Sequence, residues 1–259
     1  MALPVLATLG YSVLMAQAFQ MRPDADPVFE VATIKPSQST GVSLKLSPGG
    51  LFESSGTTLS ALIKLAYDLH ASQIIGGPSW LETERYDVTG KPDQPGRPTL
   101  TQLKSMIRKL LADRFQFTTH HETKVLPVFA ITVAKSGAKL TKNDSDLNGV
   151  WAGGIGPRSL AIKNVTISEF ASILQGAGQV VDRPVVDQTG LGPAGYDLTM
   201  KWTPDASQSR PGVERAVDNS DAGPDLITAF QEQLGLKLES MKAPVDVLVI
   251  DHVDKPSGN

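Results

Sequence analysis

The sequence predicts an α+β protein made of two tandem copies of one module. Each copy runs strand, helix, strand, strand, helix, strand, strand, with small mixed or antiparallel sheets. Three observations predict it. Tyr86-Asp87-Val88-Thr89 returns as Tyr196-Asp197-Leu198-Thr199. The apolar stripe of Leu103, Ile107 and Leu111 returns at one constant spacing as Leu226, Phe230 and Leu234. Pro127 and Ile131 return, again at one spacing, as Pro244 and Leu248. A repeat is read before any local pattern, because missing it misreads the whole fold. The spacing changes only where turns fall, and turns tolerate insertions.

The elements of the first copy follow from local pattern. Phe29 to Ile34 alternates apolar and polar, which is the period of a strand, and Pro36 ends it. Two further alternating stretches, 42–46 and 51–54, flank the turn Pro48-Gly49-Gly50. Thr57 or Thr58 can cap a helix carrying Leu59, Leu62, Ile63, Ala66 and Tyr67 at helical spacing. Ile74 and Ile75 form a short strand stopped by Gly76-Gly77-Pro78, and 85–91 is another. Thr99 caps a second helix with Leu103, Met106, Ile107, Leu110 and Leu111 on one face. Stretches 115–121 and 128–134 close the copy as two strands.

The second copy repeats this order. An entry strand spans 159–162, and Thr166 caps a helix bearing Ile167, Phe170, Ala171 and Leu174. A short strand spans 180–186, and 196–202 matches the strand around Tyr86. Leu226, Ile227, Phe230 and Leu234 stripe the last helix, and 236–239 with 245–253 close the copy. The expected organisation is a signal peptide over 1–18, a flexible leader over 19–28, and a first module over 29–138. A glycine-rich linker over 139–157 and a second module over 158–255 follow. A mobile loop, 203–224, rich in Asp, Ser, Gly and Pro, interrupts the second module.

The leader reading rests on the apolar run 3–15 followed by Ala16-Gln17-Ala18, a small-x-small cleavage pattern, although no Lys or Arg precedes the run. It places the protein in the periplasm or outside the cell, with no membrane span in the mature chain. A hydrophobic content of 41% and a charged content of 20% suit a packed globular core. A net charge of −3 gives no nucleic-acid footprint, which needs clustered Lys and Arg. The cysteine count is zero, which excludes disulfides, thiolate metal sites and thiol nucleophiles.

Several motifs together resemble a known family. They are Phe29-Glu30-Val31-Ala32-Thr33-Ile34-Lys35-Pro36, Gly76-Gly77-Pro78-Ser79-Trp80-Leu81, Arg85-Tyr86-Asp87, and Leu110-Leu111-Ala112-Asp113-Arg114-Phe115. Thr189-Gly190-Leu191 with Tyr196-Asp197, Leu234-Gly235-Leu236-Lys237-Leu238, and Val249-Ile250-Asp251-His252-Val253 continue the set. The chain resembles the soil-associated protein family, exported bacterial proteins of unassigned function. Each half is also similar, more faintly, to the short N-terminal domain of secretins and TonB-dependent receptors, best over 226–239. That resemblance implies a periplasmic unit that engages partner proteins, although the barrel or secretin channel does not follow here.

Candidate chemistry is sparse. His120-His121-Glu122 gathers metal-type side chains, but successive strand residues face apart, so only His120 and Glu122 share a face. Asp144, Asp146 and Asn148 match the opening of a calcium loop, yet Ile155 stands where a bidentate Glu belongs. No nucleophile elbow occurs, and a triad would have to draw on Ser79, His120 or His252, and Asp251. The catalytic candidates are therefore His120, Glu122, Asp251 and His252. The recurring Tyr86 and Tyr196, with neighbouring Trp80 and Trp202, are candidates to line a binding groove; packing on a half-buried strand is the plainer role for the same residues.

These readings add up to an exported interaction or ligand-binding protein of the cell envelope with no assignable reaction. The expected partner is an envelope or extracellular protein or a small ligand, and no nucleic acid. The alternative is an extracytoplasmic hydrolase of small esters or lactones, assisted by calcium. No other cofactor is expected.

Overall fold

In the computed structural model, the described residues are 20–47, 49–144, 152–156, 158–176, 180–203 and 223–256. The leader 1–18, most of the 203–224 loop, Asp146 and Asn148 lie outside them. The chain divides into two compact units. One comprises Met1–Tyr67, Gly76–His120 and Val249–Asn259, and the other Asp68–Ile75 and His121–Leu248.

The first unit is built on a four-stranded antiparallel sheet. Its strands are β1 (Phe29–Pro36), β2 (Ser43–Leu46), β3 (Phe52–Thr58) and β5 (Arg85–Pro92), in the order β1-β5-β3-β2. Alternation decides the faces. Phe52, Ser54, Tyr86, Val88 and Ile34 turn inward, while Glu53, Thr89, Lys91 and Lys35 face water. Helices α1 (Leu59–Tyr67) and α3 (Leu100–Phe115) supply the rest of this core through Leu62, Ile63, Met106, Ile107 and Leu111. The short α2 (Trp80–Thr83) precedes β5. The expected caps form. Thr58 Oγ1 accepts from Ala61 N, and Thr99 and Gln102 make a reciprocal capping box.

The second unit carries the matching sheet. Its strands are β7 (Thr141–Lys142), β8 (Ala152–Ile155), β9 (Ser159–Val165) and β11 (Tyr196–Lys201), in the order β7-β11-β9-β8. Helix α4 (Ile167–Gln175), boxed by Thr166 and Glu169, packs over it with α5 (Leu226–Ala229), which runs on as a π-turn (Phe230–Leu234). Phe170 and Phe230 stack at 5.7 Å in this core. Ile227, expected in the apolar stripe, is instead 54% exposed, because it lies about 100° around the helix from the buried Leu226.

A third sheet has the order β10-β6-β12-β4, from β10 (Val185–Asp187), β6 (Thr118–Val133), β12 (Leu236–His252) and β4 (Ile74–Ile75). β10 runs parallel to β6, with Val185, Val186 and Asp187 opposite Phe129, Ala130 and Ile131. Left-handed residues, Gln116 (φ 49°) and Gly235 (φ 63°), turn the chain from helix into β6 and β12.

The element order and strand order of one half recur in the other, which is compatible with two copies of one module. Three local expectations are corrected. Residues 115–121 and 128–134 do not form two strands: β6 is continuous, because no turn-forming residue separates them and Pro127 suits extended backbone. β12 likewise runs unbroken through Pro244. The 139–157 stretch holds β7 and β8, short edge strands that its glycines disguise.

Candidate functional site

The recurring Tyr-Asp pairs explain themselves at atomic scale. Asp87 Oδ1 accepts hydrogen bonds from Gly56 N at 2.9 Å and Ser55 Oγ at 2.8 Å. Gly56 has φ 63° and sits where the β3–β5 register shifts. Asp197 Oδ1 accepts from Asn164 N at 3.0 Å and Asn143 Nδ2 at 2.6 Å. Asn164 has φ 54°, and the β9–β11 register shifts beside Asp197. Each aspartate thus pins a left-handed bulge two residues ahead of a helix-capping threonine, Thr58 or Thr166. Hydrogen bonds hold both carboxyls below the usual range: from the Ser37 side chain first, then Gly56 N, for Asp87, and from Asn143 first, then Asn164 N, for Asp197.

The tyrosines and tryptophans divide. Tyr86 is 4% exposed, packs edge-on against Phe115 and donates its hydroxyl to Glu84 at 2.9 Å. Burial, and then the Glu84 contact, pushes its pKa up to about 12. Glu84 also takes the Lys255 ammonium, which lies 5.8 Å over the Trp80 ring. Tyr196 is half-buried against the second core, and Trp202, 3% exposed, lies within it. Trp202 therefore presents no face to a groove, because it is buried in that core.

The histidines pair with aspartates. His120 Nδ1 lies 2.7 Å from Asp251, His121 Nδ1 lies 2.6 Å from Asp246, and His252 Nε2 lies 3.2 Å from Asp254. Adjacent His120 and His121 point to opposite faces, so they take different partners. Glu122 makes an ion pair with Lys124 at 3.1 Å. Asp144 pairs with Lys142 at 2.9 Å. Among the described residues, no group of three or more His, Asp or Glu side chains is placed to hold a metal ion.

A shallow hollow of about 280 Å³ is lined by Val28, Phe29, Glu30, Ala32, Lys109, Leu110, Asp113 and Arg114. Its cations are committed: Arg114 Nη1 donates to Ala32 O at 2.9 Å, and Lys109 pairs with Asp26 at 2.7 Å. These contacts shield the outer edge of β1. Strand β6 differs. β12 lies on one side of it, and β10 meets its other side only at Phe129, Ala130 and Ile131. Among the described residues, no strand lies on that other side over 118–128. Residues 120–125 are all exposed, with Val125 at 66%. Sequence reasoning missed this edge because it split β6 in two.

The family described as "Protein of unknown function (DUF3738)" matches residues 60–253, most of the chain. The chain belongs to this family. The DUF3738 match takes in Asp87 and Asp197, the strands from β5 to β12, and the His120–Asp251 and His121–Asp246 pairs. No curated protein and no solved structure matches the chain. Among the described residues of this DUF3738 protein, no helix is long and apolar enough to cross a membrane.

Proposed function

We propose that this chain is an exported binding protein of the cell envelope, periplasmic or secreted, which engages a protein partner by strand addition. Its leader-like residues 1–18 support the compartment. The shared element order of the halves supports two copies of one module, and on the motifs quoted above the chain reads as a soil-associated protein within its family. One observation carries the function: the side of β6 away from β12 over 118–128, exposed at 120–125, along which no strand lies among the described residues. An edge strand offers a row of backbone donors and acceptors, and its alternating side chains select the added strand. The likeness of each half to the secretin and TonB short domain is in keeping with such a role. A photo-crosslinking residue at Val125, compared with one at Thr89 on the solvent face of β5, tests it in cells. Discrete adducts at 125 alone are expected, whereas indistinguishable patterns at the two positions would contradict strand addition.

A second reading, an extracytoplasmic hydrolase of small esters or lactones, is favoured by His120 and Asp251 at 2.7 Å, the spacing of a base and the carboxylate that orients it. Turnover of chromogenic esters or lactones, lost in His120→Ala and in Asp251→Asn, would establish it. No turnover with or without calcium would remove it.

A further inference from the structure

We propose that the outer edge of β2 pairs with β2 of a second copy of this chain, antiparallel and centred on Leu44; the inference stands apart from the β6 reading. β2 ends the order β1-β5-β3-β2, and among the described residues no strand lies on its other side. Residues 41–45 are all exposed. The register decides what this edge shows. Leu44 stands opposite Ser54 and Leu46 opposite Phe52, both buried, so β2 turns its leucines to the core face of the sheet. Val42 continues the row by alternation, yet Val42 is 58% and Leu44 51% exposed. The backbone points the same way. Ser47 N donates to Leu51 O at 2.9 Å, so Ser43 and Lys45 turn their N–H and C=O groups toward β3, and Val42, Leu44 and Leu46 turn theirs outward. These outward groups are their own complement. Two-fold pairing about Leu44 sets Leu44 against Leu44 and Val42 against Leu46, each pair exchanging backbone hydrogen bonds. The six side chains then form one apolar row from sheet to sheet. On the other face Ser43 meets Lys45, so no like charges stand directly opposite, and Glu53 already lies 3.8 Å from Lys45. The far edge of the sheet, β1, is shielded by Arg114 and Lys109, so the contact closes at two copies, the isologous form commonest among soluble oligomers. β8, which ends the second sheet's order, reads Ala152-Gly153-Gly154-Ile155 and has no such row. One strand pair buries less than the roughly 1,200 Å² of a stable interface, so association in the micromolar range or weaker is expected.

Sedimentation of the purified full chain over a wide concentration range tests the inference. Wild type is expected to dimerise, and Val125→Lys on β6 should leave that unchanged. Leu44→Lys and Leu44→Glu each place like charges opposite at the two-fold axis and should weaken the dimer about tenfold or more. An equimolar mixture of the two variants should associate again, because opposite charges then meet. Leu44→Cys adds an independent readout in a chain with no cysteine of its own. Residues opposed in a hydrogen-bonded pair lie about 5.5 Å apart at Cα, within disulfide reach. Mild oxidation should link two copies through position 44, whereas Val125→Cys should not link. A wild type that stays monomeric, charged variants that dimerise as wild type does, a mixture that fails to associate, or equal linking at 44 and 125 would each overturn the inference. A dimer lost in Val125→Lys and kept in Leu44→Lys would also overturn it, by placing the contact on β6.

Discussion

Asp87 and Asp197 show what a recurring residue is for. Each carboxylate holds a bulge that a backbone in the left-handed region would otherwise leave open. Both carboxyls titrate below their ordinary value of about 3.9. A depressed folded pKa gives stability that is complete above the unfolded value and lost as pH falls through the folded one. Asp87→Asn and Asp197→Asn should therefore lower Tm at neutral pH and flatten the loss of stability below about pH 4, as thermal melts across pH would show. Tyr86 works in the opposite sense. Its pKa is raised to about 12, so its contribution is complete below about pH 10 and lost as pH climbs through the folded value. Tyr86→Phe should remove that alkaline loss, read as a flatter melting profile between those limits. The aspartates were legible in the sequence as a repeat. Their partners were not, because Gly56 and Asn164 are different residue types that share only a tolerance of positive φ.

Helices were the most legible elements, since capping chemistry and stripe spacing agree in each. Thr99 caps α3 with Gln102 reaching back, so Thr99→Ala should cost about 1 kcal/mol in chemical denaturation. Phe230 is fully buried against Phe170, and Phe230→Ala should cost about 3–5 kcal/mol. Strands were less legible. β6 and β12 were divided at proline residues, but proline at φ near −65° continues an extended chain when its missing donor is not needed. β7 and β8 hid in a polar, glycine-rich stretch because edge strands of two and four residues show too little alternation to register. The pairing of β6 with β12 and β10 joins partners far apart in sequence, which no local pattern records. The candidate site was read from side-chain types, whereas the feature that carries the proposed function is backbone.

The strand orders of the two halves are alike, which is compatible with one repeated plan, and the third sheet draws strands from both halves of the sequence. Its order β10-β6-β12-β4 reads the same when the halves are exchanged, because β4 corresponds to β10 and β6 to β12. The second half lends β10 to β6, and β4 of the first half is a neighbour of β12. Isolated short strands of two or three residues gain stability only by joining a larger sheet. Each half therefore completes a sheet that the other half begins, and neither is a self-sufficient bead on a string. The lent strand meets β6 at Phe129, Ala130 and Ile131, and among the described residues no strand continues beside 118–128. The most direct test inserts a protease site after Asp144 and follows the cut protein by gel filtration. The account predicts that the two fragments elute together at the mass of the intact chain and part only in denaturant. Fragments that separate in native buffer into two folded bodies would contradict it.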